Sequence, residues 1–264
     1  MRTVLAALDA SAAASPVLET ALQIAELTGA TVEAVHVEER PVETPALLAA
    51  RAGVPLRVLE DPVERALLDA LASPDVIAAV LGARATPAGR RPTGRTALRV
   101  LERAHKPVVV VPPDAAGVSQ RPFRRLLVPL EATALSSRPI EACLCPLLAR
   151  DVELVVLHVF TDVTMPRVLD RPGRDLELLG GEFLARYCPS AARIELRTGT
   201  VGDQVAVLSR DEEADLIVLS WSQDASAGHA AVIRDVLSRA TVPVLLLPVE
   251  PERIIEVDVV AREW

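Results

Sequence analysis

The sequence predicts two tandem α/β domains, each a five-stranded parallel sheet with helices on both faces. Three observations carry this. The chain repeats itself, short aliphatic runs alternate with segments of helical periodicity, and the composition is aliphatic without being aromatic. Half of the 264 residues are hydrophobic, yet only 2% are aromatic. A core must then be built from Val, Leu, Ile and Ala. That suits strands buried on both faces, which read as unbroken aliphatic runs.

Paired segments reveal the repeat. Thr3-Val-Leu-Ala-Ala-Leu8, followed by Asp9, matches Arg125-Leu-Leu-Val-Pro-Leu130, followed by Glu131. Val35-His-Val37 matches Leu157-His-Val159 at the same offset of 122. Val100-Leu101 and Pro107-Val-Val-Val-Val-Pro112 match Val236-Leu237 and Pro243-Val-Leu-Leu-Leu-Pro248 at an offset of 136. The jump falls between the second and third strands, so the second copy has a longer crossover there.

In copy one, the first strand is 3–8. A helix follows from Pro16 to Thr28, with Ser15 suited to its N-cap, Pro16 to its first turn and Gly29 to its C-terminal stop. Val17, Leu18, Ala21, Leu22 and Ala25 give that helix one apolar face. The second strand is 31–37. A short helix at 45–51 leads to a strand at 55–60, and Asp61-Pro62 opens another helix. A strand at 76–81, a helix at 94–105 and a strand at 107–111 complete the copy. Copy two has strands near 124–130, 152–159, 193–198, 215–220 and 242–247, a crossover helix at 174–187, and Asp203 as the cap of the next helix. Strands separated by helices imply parallel pairing with right-handed crossovers. The divisions are 1–112 for domain 1, a linker at 113–121, 122–248 for domain 2, and a tail at 249–264 whose 254–260 stretch suits an edge strand.

A net charge of −8 argues against nucleic acid as a bulk partner. No apolar run reaches the ~20 residues that cross a bilayer, so no membrane partner is expected. The N-terminus runs straight into a strand without the pattern of a signal peptide. Three cysteines, Cys143, Cys145 and Cys188, make no disulfide framework. The expected compartment is the cytoplasm. Cys143 and Cys145, two apart on a helix, point away from each other and read as buried small residues.

In open α/β sheets, ligands bind beyond the carboxyl ends of the strands, where strand order reverses. The residues there are Asp9, after strand 1, and the loop from Gly82 to Thr96, after strand 4. A glycine-bearing loop entering a helix can offer backbone N–H groups and a positive dipole end to phosphate. Arg84, Arg90, Arg91 and Arg95 add charge suited to phosphate oxygens. The alternative is a loop that contacts acidic side chains of its own or another chain. His36 and His158, at equivalent strand ends, read as structural, and His105 as a residue at a helix terminus. His229 falls in the copy-two loop and faces solvent by default.

Asp after strand 1, His-Val closing strand 2, a Gly-bearing loop after strand 4, then Val-Leu-x-x-Ala-x-x-Pro-Val-Val-Val-Val: this series resembles the universal stress protein family, in both copies. The resemblance implies a Rossmann-like fold of the adenine nucleotide alpha hydrolase-like group. ATP-binding members carry Gly, two residues, Gly, nine residues, then Gly-Ser/Thr. Copy one keeps Gly82 and Gly94, has Ala85 at the second glycine, a spacer one residue shorter, and Arg95 before Thr96. Asp9 and Val37 match positions that hold the adenosine. The implied site is therefore Asp9, Val37, Gly82, Arg84, Gly94, Arg95 and Thr96, for ATP or a related adenine nucleotide. Copy two has Ser220, Gln223 and Ala230 at the glycine positions, Glu131 for the Asp, and Trp221 inside the loop. Side chains there block approach to phosphate, so at most one site per chain is expected. The resemblance further implies pairing through the fifth strands, here Val108–Val111 with Val244–Leu247 inside one chain, and a homodimer beyond it.

Competing motifs are missing. The sequence has no Gly-x-x-x-x-Gly-Lys-Ser/Thr, no Gly-x-Gly-x-x-Gly after strand 1 and no Gly-x-Ser-x-Gly. Lys106-Pro107 precedes strand 5, whereas the Lys-Pro of a receiver domain ends it. No acid/base or nucleophile/base pair stands out, so no catalysis and no metal site are expected. Two other readings stand beside a nucleotide-binding stress or signalling protein. One is a scaffold with both sites vestigial. The other is an ATP-dependent enzyme of the same fold group, which would need a catalytic loop that Asp9-Ala10-Ser11 does not supply.

Overall fold

The computed structural model describes residues 1–11, 13–37, 42–60, 62–83, 94–113, 115, 122–130, 152–161, 192–221 and 228–249. These hold ten strands and six helices. Copy one contains β1 (Thr3–Ala7), α1 (Ala14–Thr28), β2 (Thr31–Val37), α2 (Glu43–Ala52), β3 (Leu56–Leu59), α3 (Val63–Ala72), β4 (Val76–Gly82), α4 (Arg95–Arg103) and β5 (Val108–Val111). Copy two contains β6 (Arg125–Pro129), β7 (Glu153–Phe160), β8 (Ala192–Thr198), α5 (Val201–Asp211), β9 (Leu216–Trp221), α6 (Gly228–Arg239) and β10 (Val244–Pro248). The expected helix at 174–187, the 254–260 stretch, all three cysteines and most of the linker lie outside the described residues.

All strands join one sheet in the order β3-β2-β1-β4-β5-β10-β9-β6-β7-β8. Pairing is parallel within each copy. The fifth strands pair antiparallel, with Val110 opposite Val244, Val109 opposite Leu245 and Val108 opposite Leu246. The order therefore reverses beside β1 in one copy and beside β6 in the other.

Strand residues alternate between two aliphatic cores. Val4, Ala6, Val109, Val111, Leu126, Val128, Leu245 and Leu247 face the α1 side. Leu5, Val108, Val110, Leu127, Val244 and Leu246 face α3, α4, α5 and α6. Because β5 meets β10, both cores run across the two copies. Each fully buried Val or Leu contributes about 1.5–3 kcal/mol by removal from water, so the seam is an extension of the core.

Two cap assignments are corrected. Helix α1 begins at Ala14, so Ser15 sits in its first turn, where its hydroxyl donates to Glu19 Oε1 at 3.0 Å. Helix α5 is capped at Thr200, and Asp203 lies in its first turn, paired with Arg239. Gly29 ends α1 as expected, in the left-handed conformation at φ 64 that favours glycine. His105 lies exposed, two residues beyond the end of α4.

Single polar groups pin the amino ends of the strands. Lys106 Nζ donates to the carbonyls of Ser73 at 2.6 Å and Val76 at 2.7 Å, which makes it a structural residue. Asp215 Oδ2 accepts the backbone N–H groups of Arg124 at 2.8 Å and Arg125 at 2.9 Å. The hydrogen bond from Arg125 to Glu153 raises the guanidinium pKa further above the working range.

Candidate functional site

Strand β1 delivers Asp9 to the carboxyl edge of the sheet, beside the β1/β4 reversal. Asp9 Oδ1 accepts the Ser11 N–H at 3.0 Å and the Ser11 hydroxyl at 2.5 Å. Ser11 Oγ accepts the Ala13 N–H at 3.2 Å. Asp-x-Ser here forms a local side-chain-to-backbone turn, and it feeds the chain into α1. This explains why the helix starts before Ser15.

Gly82 ends β4 opposite Val111. A Cβ on Gly82 would lie 3.6 Å from Ala13 Cβ and 3.5 Å from Val17 Cγ2. Both are ordinary contacts, so neither the backbone nor the packing demands glycine. The structure thus brings Gly82 and the Asp9-Ser11 turn together at one end of α1. The same edge carries Val37, half-buried at the end of β2 beside Leu59.

One strand over, His36 Nδ1–H donates to the Leu8 carbonyl at 2.8 Å. The carbonyl can only accept, which fixes the hydrogen on Nδ1. His158 Nδ1–H donates to the Leu130 carbonyl at 2.9 Å in copy two. Both histidines are buried. They hold the residue before Asp9 and the residue before Glu131, so the structural reading of both is correct.

Gly94, Arg95 and Thr96 lie on the other face of the sheet. Gly94 caps α4 at φ −58 and ψ 143, a conformation open to any residue, and no side chain caps the helix. Arg95 and Thr96 are exposed. Ala97, Val100 and Leu101 anchor α4 in the second core. Glu64 holds it from α3, accepting from Arg99 at 3.2 Å and Arg103 at 2.8 Å. No hydrogen bond or ion pair among the described residues joins Gly94, Arg95 or Thr96 to the Asp9 turn. Arg84, Arg90 and Arg91 lie outside the described residues, as does Glu131.

Copy two departs from this geometry. Ser220 faces Leu247 as Gly82 faces Val111, so Ser220 occupies the first glycine position, buried at 6% exposure. Ala230 is 1% exposed within the first turn of α6, which begins at Gly228. His229 is therefore on that helix and not in the loop. Trp221 is also reassigned. It is the last residue of β9, buried, and its indole Nε1–H donates to the carbonyl of Leu101 in copy one at 3.0 Å. No sequence signal could indicate that contact, because it depends on which strands meet at the seam.

An open groove of about 760 Å³ lies at the opposite, amino edge of copy one, between α3 and β1–β3. Two ion pairs line it, Arg57 with Glu33 and the Met1 amine with Asp75. It is remote from the strand-order reversal. Among the described residues no group of three or more His, Cys, Asp or Glu side chains is placed to hold a metal, and no helix is long and apolar enough to cross a membrane.

The model of the universal stress protein family matches residues 122–248. The whole chain also resembles solved structures. A universal stress protein from Archaeoglobus fulgidus aligns at a TM-score of 0.65 and 18% identity, over 93% of this chain and 98% of its own. A functionally unknown protein from Pseudomonas aeruginosa aligns at a TM-score of 0.65 and 14% identity, over 94% and 93%. At such identity the likeness is one of fold. No curated protein matches the sequence.

Proposed function

We propose that this chain, whose residues 122–248 match the model of the universal stress protein family and whose copy one is built on the same strand order, is a stress-response or signalling protein with one adenine-nucleotide site, in copy one. The protein is not an enzyme in this reading. It works in the cytoplasm, has no nucleic-acid or membrane partner, and pairs further as a homodimer. The ligand is ATP or a relative, held by Asp9, Val37, Gly82, Arg84, Gly94, Arg95 and Thr96.

The observation that carries the reading is the contrast between Gly82 and Ser220. They hold the same place in the ladder. At Gly82 the fold does not require glycine, so the missing side chain is accounted for by a ligand approaching the backbone. A second reading, a scaffold that binds no nucleotide, is favoured by Asp9, whose Oδ1 is already used by Ser11. Calorimetric titration with ATP separates the two. One site per chain is expected, lost in Gly94→Leu, whose backbone conformation suits leucine. Two equal sites would exclude the single-site reading, unchanged affinity in Gly94→Leu would move the ligand elsewhere, and no heat of binding would leave the scaffold.

A further inference from the structure

Helix α4 carries Gly94, Arg95 and Thr96 at its N-terminus and is only nine residues long. At 1.5 Å per residue it spans about 13 Å, so what is fixed at one end sets the position of the other. Its last carbonyls lack helical partners, as at every helix end. Ala104 N–H closes on the Val100 carbonyl at 2.8 Å. The next carbonyl, Leu101, takes its donor from the indole of Trp221 in copy two. Trp221 and Leu101 share the second core with Val100 and Ala104. The residue after Gly82 in copy one is Ala83, whose backbone N–H is used by the Val111 carbonyl and whose methyl side chain has no donor to return across the seam. The contact is therefore one-sided: copy two reaches into copy one.

We infer that Trp221 is a positioning residue for the copy-one site, and that the degenerate edge of copy two serves as a buttress for α4. The position that a nucleotide loop would use in copy two is given to a side chain that holds the phosphate-side helix of copy one. Occupancy of copy one and the environment of Trp221 are then linked, since linkage between a helix position and a ligand acts in both directions. This rests on the nucleotide reading above.

The full-length chain tests it with ATP as the probe. Trp264 is the one other tryptophan. In Trp264→Phe the emission reports Trp221 alone, and it should change on addition of ATP with the same midpoint as the calorimetric isotherm. Trp221→Phe keeps an aromatic ring and removes the N–H. It should retain the far-ultraviolet spectrum of the parent and bind ATP roughly three- to tenfold more weakly, the size of one neutral hydrogen bond. ATP binding with flat Trp221 emission and unaltered affinity in Trp221→Phe would overturn the buttress and leave the site standing. A parent chain that binds no ATP would overturn both. If Trp221→Phe fails to fold, the emission titration alone decides.

Discussion

The Cβ that Gly202 lacks would fall onto the carboxylate of Asp235 and lie 3.1 Å from its Cβ. Gly202 is the second residue of α5, and Asp235 stands on the neighbouring α6. An acidic group beside the first turn of a helix is favoured by the helix dipole, and Arg239 holds Asp235 in place at 2.9 Å. In copy one the same junction carries two arginines on the second helix and one carboxylate on the first. Glu64 is the second residue of α3 and accepts from Arg99 and Arg103 on α4. Arg99 and Arg103 correspond to Asp235 and Arg239 at the offset of 136. Copy one places a single carboxylate at this junction, from the first helix, whereas copy two places two, Asp203 from the first helix and Asp235 from the second, both paired with Arg239.

Gly202→Ala tests this arrangement. Alanine favours a helix by about 1 kcal/mol over glycine, while overpacking costs about 1–3 kcal/mol. The net effect is destabilising, with a lowered denaturation midpoint. In an Asp235→Ala background the overlap with the carboxylate is removed, only the 3.1 Å approach to Cβ remains, and Gly202→Ala loses most of its cost. A double-mutant cycle in urea should show a coupling of at least about 0.5 kcal/mol. Strict additivity would mean that the two helices are not in this register.

How much of this was legible in the sequence depends on the element. Val108–Val111 and Val244–Leu247 read as buried strands because nothing but aliphatic side chains stands in them, and the ladder pairs the two. Gly29 read as a helix stop because its left-handed conformation leaves few other residue types. Ser15 was misassigned because the Asp9-Ser11 turn already redirects the chain, and the helix starts one residue ahead of it. That Asp9 and Gly82 share the carboxyl edge beside the β1/β4 reversal was legible from the rule of strand-order reversal. Trp221 with Leu101 and Gly202 with Asp235 were not, since each joins segments far apart in sequence whose meeting depends on helix and strand packing.

His36 and His158 allow the two copies to be compared within one molecule. Replacing either with Phe leaves a carbonyl, Leu8 or Leu130, without its imidazole donor. An unsatisfied buried acceptor costs about 1–3 kcal/mol, so both variants should unfold at lower denaturant. Only His36→Phe should also weaken ATP binding, because Leu8 precedes Asp9. Equal affinity losses in both would argue that the ligand senses global stability and not the Asp9 turn.

Lys106 offers a direct check on the amino edge. It is the single lysine, half-buried, with two of its ammonium hydrogens donated to the Ser73 and Val76 carbonyls. An amine-reactive reagent should modify the exposed Met1 amine first and Lys106 only after denaturation, which intact-mass measurement resolves. Lys106→Met should cost about 1 kcal/mol, reduced from a full charged hydrogen bond by solvent screening. Equal modification rates of the two amines in the native protein would show that the anchor is open in solution.

The seam between β5 and β10 makes the last prediction. Val108–Val111 are fully buried in the intact chain, and Val244, Leu245, Leu246 and Leu247 are buried opposite and beyond them. Separating residues 1–112 from 122–248 would turn each of these runs into a free sheet edge. Apolar, unpaired edges recruit other strands. Each half expressed alone should therefore dimerise or aggregate. Of the two, copy one should form the better-defined dimer, since its edge can meet a second β5 antiparallel in the register that β10 now fills. Copy two, separated from α4, additionally loses the Leu101 acceptor of its Trp221 N–H and should be the less stable half. Sedimentation of the two purified halves decides. Two well-behaved monomers would show that β5 and β10 are not held together by the apolar pairing proposed here.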